Sequence, residues 1–328
     1  MNRRRVGILS GLVGVACAVG VFATARDAPA RDAGLRPAGK VVARISIPVG
    51  YGGFAVGEGA VWAMGDAVST LTRIDPSTNS VVARIPVEGG GEITAGDGAV
   101  WLSNPTNNTV SRIDPKTNEV TATIRVGPKP DVIAVSPGAV WAANAGGPSV
   151  SRIDPTTNMV VATIRTGPPP ACCPHMGVGW GGGAVWAGVP RAGFPNLSSV
   201  VRINPITNAI TARISVSGQQ CSFLVADQRA VWAAGGHCSG IVTRLDPRTN
   251  KQTGIVKGEK SPIGLALAFG SLWVADLDAK RIDRVNIRTG RIAARLPVGG
   301  SPAHLAAGFG SIWVKDDAGQ VLRINPRS

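Results

Sequence analysis

Asp131-Val-Ile-Ala-Val135, Ser136-Pro-Gly138, Ala139-Val-Trp141-Ala-Ala-Asn144, Ser149-Val-Ser-Arg152-Ile-Asp154 and Met159-Val-Val-Ala-Thr-Ile-Arg-Thr166 are consecutive parts of one stretch of chain. The first is a short apolar run, and the second turns the chain. The third carries a Trp. The last two alternate apolar and polar residues. Alternation with a period of two, between clusters of Gly, Pro and Asn, is the signature of β-strands. The stretch therefore reads as four strands, a to d. No helix-period segment of useful length follows residue 40.

The same unit recurs. Trp62, Trp101, Trp141, Trp186, Trp232, Trp273 and Trp313 are spaced by 39, 40, 45, 46, 41 and 40 residues. Each is followed by Arg-x-Asp or Arg-x-Asn, after ten or eleven residues at Arg73, Arg112, Arg152, Arg284 and Arg323, and after 16 and 12 at Arg202 and Arg244. A period near 40 without helical spacing predicts an all-β fold, a seven-bladed β-propeller of four-stranded blades. The c–d turns read Asp75-Pro-Ser-Thr-Asn79, Asp114-Pro-Lys-Thr-Asn118, Asp154-Pro-Thr-Thr-Asn158, Asn204-Pro-Ile-Thr-Asn208 and Asp246-Pro-Arg-Thr-Asn250. Asp or Asn opens a type I turn, Pro presets φ, and Asn closes it in the left-handed region. Gly290 takes the closing place in blade 6, in keeping with that geometry. Blade 7 supplies Val321-Leu-Arg-Ile324 as its strand c and no strand d, while Val41-Val-Ala-Arg-Ile45 copies Val81-Val-Ala-Arg-Ile85. The N-terminal strand is thus expected to complete the last blade and close the ring. The domain spans residues 41–328.

Ahead of it, Arg3-Arg-Arg5 precedes an uncharged run from Val6 to Ala25. This reads as an export signal over residues 1–25, with Ala23-Thr-Ala25 as cleavage site. Cys17 after Gly14-Val-Ala16 offers lipidation instead, and the 20-residue run is long enough for an uncleaved anchor. All three put the propeller outside the cytoplasm: periplasmic, secreted or envelope-tethered. Residues 26–40, rich in Ala, Pro, Gly and Arg, read as a flexible linker. The chain has 328 residues and a formal charge of +14, from 34 Lys and Arg against 20 Asp and Glu. Loss of residues 1–25 removes three Arg, leaving +11. Half of the formal +14 comes from the seven c-strand Arg, one per blade, so it is dispersed. A nucleic-acid groove would concentrate charge on one face and interleave aromatics. No nucleic-acid partner is expected, the membrane is met only through the signal or a lipid anchor, and a monomer is expected. Walker-type glycine loops, Gly-x-Ser-x-Gly elbows and Cys-x-x-Cys pairs are missing from the sequence.

Departures from the repeat point to function, because function tends to sit in loops on a rigid frame. Blade 4 departs twice on one face. Gly167 to Trp186 spans 19 residues against 14 from Gly127 to Trp141, and Trp186 to Arg202 spans 16 against 11 from Trp141 to Arg152. The insertions carry Cys172, Cys173, His175, Arg191, Phe194 and Asn196. Cys221 and Cys238 flank the a–b hairpin of blade 5, whose geometry brings them together at the mouth. In an oxidising compartment that pair is expected to form a disulfide. Cys172 and Cys173 are read either as a vicinal disulfide or as paired elsewhere. A soft-metal site from Cys172, Cys173, His175, His237 and Cys238 is a further reading, although the spacing matches no standard motif.

Nine residues before each repeat Trp stand Gly53, Glu92, Val132, Gly177, Phe223, Gly264 and His304, the positions expected to line the channel. Three residues after it, in blades 2, 3, 6 and 7, come Asn104, Asn144, Asp276 and Asp316. With Lys315, His175, Arg191, Phe194 and His237, these make a mouth suited to a small polar ligand. Trp180, in register with Val56, Ala95 and Leu267, reads as core.

The motifs Asn-x-Val-Val-Ala-Arg/Thr-Ile, Val-Gly-x-x-Pro, Gly-Ala-Val-Trp and Arg-Ile-Asp-Pro resemble YVTN-type propeller repeats and the virginiamycin B lyase-like family. The resemblance covers almost all of 41–328 and implies the fold. It also implies a lyase activity: His and Glu at the mouth, with Mg²⁺, opening a cyclic depsipeptide ester. Pro174-His175-Met176-Gly177-Val178 resembles a strand start of that family, and His304 stands near an equivalent place. His175, His304 and Glu92 are the catalytic candidates this implies. The family's Glu at the end of a Trp-bearing strand is replaced by Asn104, Asn144, Asp276 or Asp316, and His175 and His304 lie three blades apart. The leading expectation is therefore a binding module at the blade 4–5 mouth, without turnover or cofactor. Its partner would be a small polar ligand, or an envelope protein or glycan. A Mg²⁺-dependent lyase or hydrolase is the alternative.

Overall fold

The computed structural model describes residues 38–65, 69–167, 176–190, 197–220, 223–235 and 239–328. Among them are seven four-stranded antiparallel sheets and no helix. The first six blades use consecutive strands, as in blade 3: Pro130–Ser136, Ala139–Asn144, Ser149–Asp154 and Met159–Arg165. The seventh is composite. Pro302–Gly308, Ser311–Asp316 and Gln320–Asn325 form its strands a to c, and Lys40–Ser46 its outermost strand. Val41 pairs with Ile324 and Ile45 with Val321, so the N-terminal strand closes the ring as expected.

Each of the seven apolar clusters lies between two blades and holds one Trp. Trp62 packs with Ile93, Ala95 and Val100 of blade 2, and Trp141 with Val178 and Val185 of blade 4. Trp313 packs with Phe54, Val56 and Val61 of blade 1. The gap between blades widens outward, and a large flat side chain fills it. Five indole N–H groups donate to the carbonyl five residues upstream, as Trp62 does to Gly57 at 3.0 Å, and Trp141 uses the Ser136 hydroxyl at 2.8 Å. Trp232 lacks such a partner.

The c-strand Arg residues link the blades. Each guanidinium sits over its own blade's Trp, 4.9–5.7 Å from the ring centroid. In five blades its Nη1 then reaches the Asn that closes the next blade's c–d turn. Arg73 meets Asn118 at 2.9 Å, Arg112 meets Asn158 at 3.0 Å, and Arg323 meets Asn79 at 3.0 Å across the closure. Arg152 with Asn208 and Arg202 with Asn250 do the same. These Asn residues have φ between 56° and 61°, and Gly290 has 66°. The turn is one residue longer than the type I turn read from the sequence: Asn79 N–H bonds to Asp75 carbonyl oxygen, four residues back. Asp75 Oδ1 accepts from the Ser77 hydroxyl and then from its N–H, each at 2.7 Å, which holds its carboxyl below the usual range.

Candidate functional site

The innermost strands start at the mouth, so their first residues ring the neck of the channel. Glu92, Val132, Phe223, Gly264 and His304, five of the seven register positions, border a single small cavity of about 50 Å³. Gly53 and Gly264 are required by close approach. A Cβ on Gly53 would stand 2.2 Å from the Ile93 nitrogen and 2.6 Å from Glu92 Cα, and one on Gly264 2.6 Å from the Ala303 carbonyl oxygen. With no side chain on Gly53 in blade 1, blades 7 and 2 meet over it. His304 Nε2 lies 3.2 Å from Glu92 Oε1. Phe223 of blade 5 meets the His304 ring edge-on, with centroids 5.6 Å apart at 87°. His304 Nδ1 is buried without a protein partner.

Lys315 is fully buried, and its Nζ reaches the Gly50 carbonyl and, at 3.4 Å, Asp317 Oδ1. Burial pushes the Asp317 carboxyl up, against the pull of Lys315 and His304. His304, Glu92, Lys315 and Asp317 thus bring four ionisable groups together on the blade 7–1–2 side. A His–Glu contact of this kind can shuttle a proton or hold a polar ligand.

The other expected mouth residues are occupied with their own loops. Asn144 is buried and donates to Ser149 and Ser151 hydroxyls. Asn104 donates to Glu88 carbonyl oxygen and accepts from Asn107 N–H. Asp316 accepts the N–H of Ser301 and Ala318. Asp276 accepts from Lys260, Ser261 and Ala279 and pairs with Arg281 at 3.1 Å. These groups order the b–c and d–a loops of the mouth.

A buried acidic cluster in blade 6, around Asp276, was not visible in the sequence. Glu259, Asp276 and Asp283 have side chains fully out of solvent and converge on Arg281, with Arg295 on Asp283. Burial, then the neighbouring Asp283, pushes Glu259 up to about 9. Burial also raises Asp283, against Arg281. For Asp276, backbone N–H donors outweigh burial, and its carboxyl stays below the ordinary range.

Cys17, Cys172, Cys173, His175, Arg191, Phe194, Asn196, Cys221, His237 and Cys238 lie outside the described residues. The proposed Cys221–Cys238 disulfide and the soft-metal set lie there with them. Among the described residues no group of three or more His, Cys, Asp or Glu could hold a metal ion. Mg²⁺ takes an octahedral oxygen set. At the described mouth, both Asp276 oxygens and Asp316 Oδ1 already accept N–H groups or face Arg281, so Asp276 and Asp316 do not supply such a set.

Fold and site together define a seven-bladed propeller with an ionisable pair at the neck of its channel. Among solved structures, the chain is similar to virginiamycin B lyase from Staphylococcus aureus, with TM-score 0.71 and 16% identity over 86% of this chain and 98% of the other. It is also similar to Kuenenia stuttgartiensis hydrazine synthase, with TM-score 0.66 and 16% identity over 82% of this chain and 92% of the other. Likeness at this identity establishes the fold, as the sequence resemblance implied. No family model matches the chain, and neither does any curated protein.

Proposed function

We propose that the chain is an exported binding propeller that holds a small polar ligand at the channel mouth, on the blade 4–5 side, without turnover. The observation that carries this reading is the neck. Its cavity of about 50 Å³ has room for little more than a water or two, so it serves as a floor and not a passage. Phe223, from blade 5, forms the apolar side of that floor, and the His304–Glu92 pair the polar side. Ligand sites commonly combine an apolar wall with a few fixed polar groups. His175, Arg191, Phe194 and His237, expected at the mouth from the sequence, would bind the ligand together with these groups.

The test is native mass spectrometry of the exported protein against a panel of amino acids, sugars and cyclic peptides. The expected result is a mature start at Arg26 and a 1:1 complex whose ligand is recovered unchanged, lost in His304→Ala. Mg²⁺-dependent consumption of a cyclic ester, abolished by His304→Ala or His175→Ala, would replace this reading with a lyase. The specific support for that second reading is the His304–Glu92 contact, which pairs an acid–base couple on a fold shared with a lyase.

A further inference from the structure

On the face opposite the mouth, a pocket of about 270 Å³ opens between blades 3 and 4. Its walls are Ser136, Pro137 and Arg152 from blade 3 and Trp180, Pro205 and Ile206 from blade 4. Two of these residues break the seven-fold repeat. The place of Trp180 is held in the other blades by Val56, Ala95, Val135, Ala226, Leu267 and Ala307. Those are buried, whereas Trp180 is only half-buried, packing one side against the core and turning part of its surface to the pocket. The place of Ile206 is held by Ser77, Lys116, Thr156, Arg248, Arg288 and Arg327, all polar. Ile206 is 84% exposed, the most exposed large apolar side chain among the described residues. An aromatic and an aliphatic residue have thus entered the same pocket at positions where the scaffold needs neither.

The pocket also has a charge preference. Arg152 holds its Nη1 on Asn208, but its Nε is buried without a partner. Ala139 stands where Ser271 and Ser311 accept the Nε of Arg284 and Arg323 in blades 6 and 7, and Ala60 and Ala230 leave the Nε of Arg73 and Arg244 unpartnered in the same way, so the pocket is set apart by Trp180 and Ile206 beside this guanidinium. The turn beside it opens with Asn204, where the other turns of blades 1 to 5 have Asp, so no carboxylate stands there. Asp154 is spent on the N–H groups of Thr156 and Thr157. A buried N–H of a guanidinium without an acceptor is costly and is best met by a carboxylate in its plane.

We propose that this pocket is a binding site for a small planar aromatic carboxylate, its ring between Trp180, Pro137 and Ile206 and its carboxylate on the Arg152 guanidinium. The volume suits one ring with a short acidic arm: an apolar cavity of roughly 150 Å³ already admits benzene. The site is independent of the mouth, since it lies at the a–b and c–d turns.

Cinnamate is the probe, with cinnamyl alcohol as its neutral counterpart. Trp180 is the reporter, because the seven repeat Trp are at most 1% exposed and Trp180 alone is open to a ligand. Titration followed by indole N–H resonances and by calorimetry is expected to shift Trp180 selectively. Cinnamate should bind about tenfold more tightly than cinnamyl alcohol. Ile206→Thr and Trp180→Val restore residues that other blades carry, so both variants keep the scaffold. Each should weaken cinnamate by about fivefold or more, and together they should abolish binding. Equal affinity for the alcohol would overturn the anion preference. An unshifted Trp180 at saturating cinnamate, or full binding by the folded double variant, would overturn the site.

Discussion

Glu259 is the described carboxyl that the fold pushes furthest from its ordinary value. In the unfolded chain it loses its proton near 4.5, and in the fold it keeps it to about 9. With that proton, Glu259 adds no negative charge beside Asp276 and Asp283, which face Arg281 and Arg295 in a buried place. A group whose pKa is raised by folding gives its full contribution below the unfolded value and loses it as pH rises through the folded one. Stability should therefore fall between about pH 5 and pH 9. Glu259→Gln keeps the shape and removes the titration. Its urea midpoint should be nearly flat over that range, and near pH 8 the variant should exceed the parent by about 1 kcal/mol or more. An unchanged slope in the variant would mean that some other group carries it. Sequence reading reached Asp276 as a mouth residue but missed Glu259, Arg281 and Asp283. They come from a d–a loop and a c strand whose meeting is set by the packing of blade 6 and follows no spacing rule.

At the scale of an element, the c–d turn has two jobs. Asn158 must adopt φ of 57°, and its Oδ1 must accept from Arg112 of the preceding blade at 3.0 Å. The variants Asn158→Gly and Asn158→Ala separate them. Glycine accepts the left-handed conformation and loses only the inter-blade bond, whereas alanine loses both. Asn158→Gly should cost about 1 kcal/mol and Asn158→Ala about 1 kcal/mol more, read from urea midpoints. Equal losses would show that the bond to Arg112 is the whole effect. The conformational half was legible in the sequence, because only Asn and Gly close these turns. The bonding half was not. Arg112 and Asn158 were each periodic, but nothing in either repeat says that one blade's Arg reaches the next blade's Asn. The same holds for His304 and Glu92: register put both on the channel ring, yet their contact, across 212 residues, depends on Gly53 leaving the space between them open.

The whole molecule is a ring with a single seam, and the seam lies in the blade that carries His304. Lys40–Ser46 covers Gln320–Asn325, and Ile45 packs with Phe54, Val61 and Trp313, so the strand ties blade 7 to blade 1 as well as closing it. Without it, strand c of blade 7 would present an unpaired edge, which invites pairing with another chain. Ile45 and Ile85 occupy matching places in two outer strands, 6% and 4% exposed, so their truncation to Ala removes similar apolar contact. Each should cost about 2–4 kcal/mol in global stability. They should differ in where the fold loosens. Ile85→Ala acts inside a blade made from one continuous stretch of chain. Ile45→Ala acts on the strand that joins distant parts of the chain, where opening is checked by no short connecting turn. Hydrogen exchange should therefore speed up across Pro302–Gly308 in Ile45→Ala far more than in Ile85→Ala, with Pro130–Ser136 of blade 3 unchanged in both. Since His304 lies within the first of these strands, the Ile45→Ala variant should also loosen the His304–Glu92 contact, seen as a shift of the His304 ring resonances. If exchange rises equally around the ring in both variants, the propeller opens as one unit, and the seam places no special demand on the site.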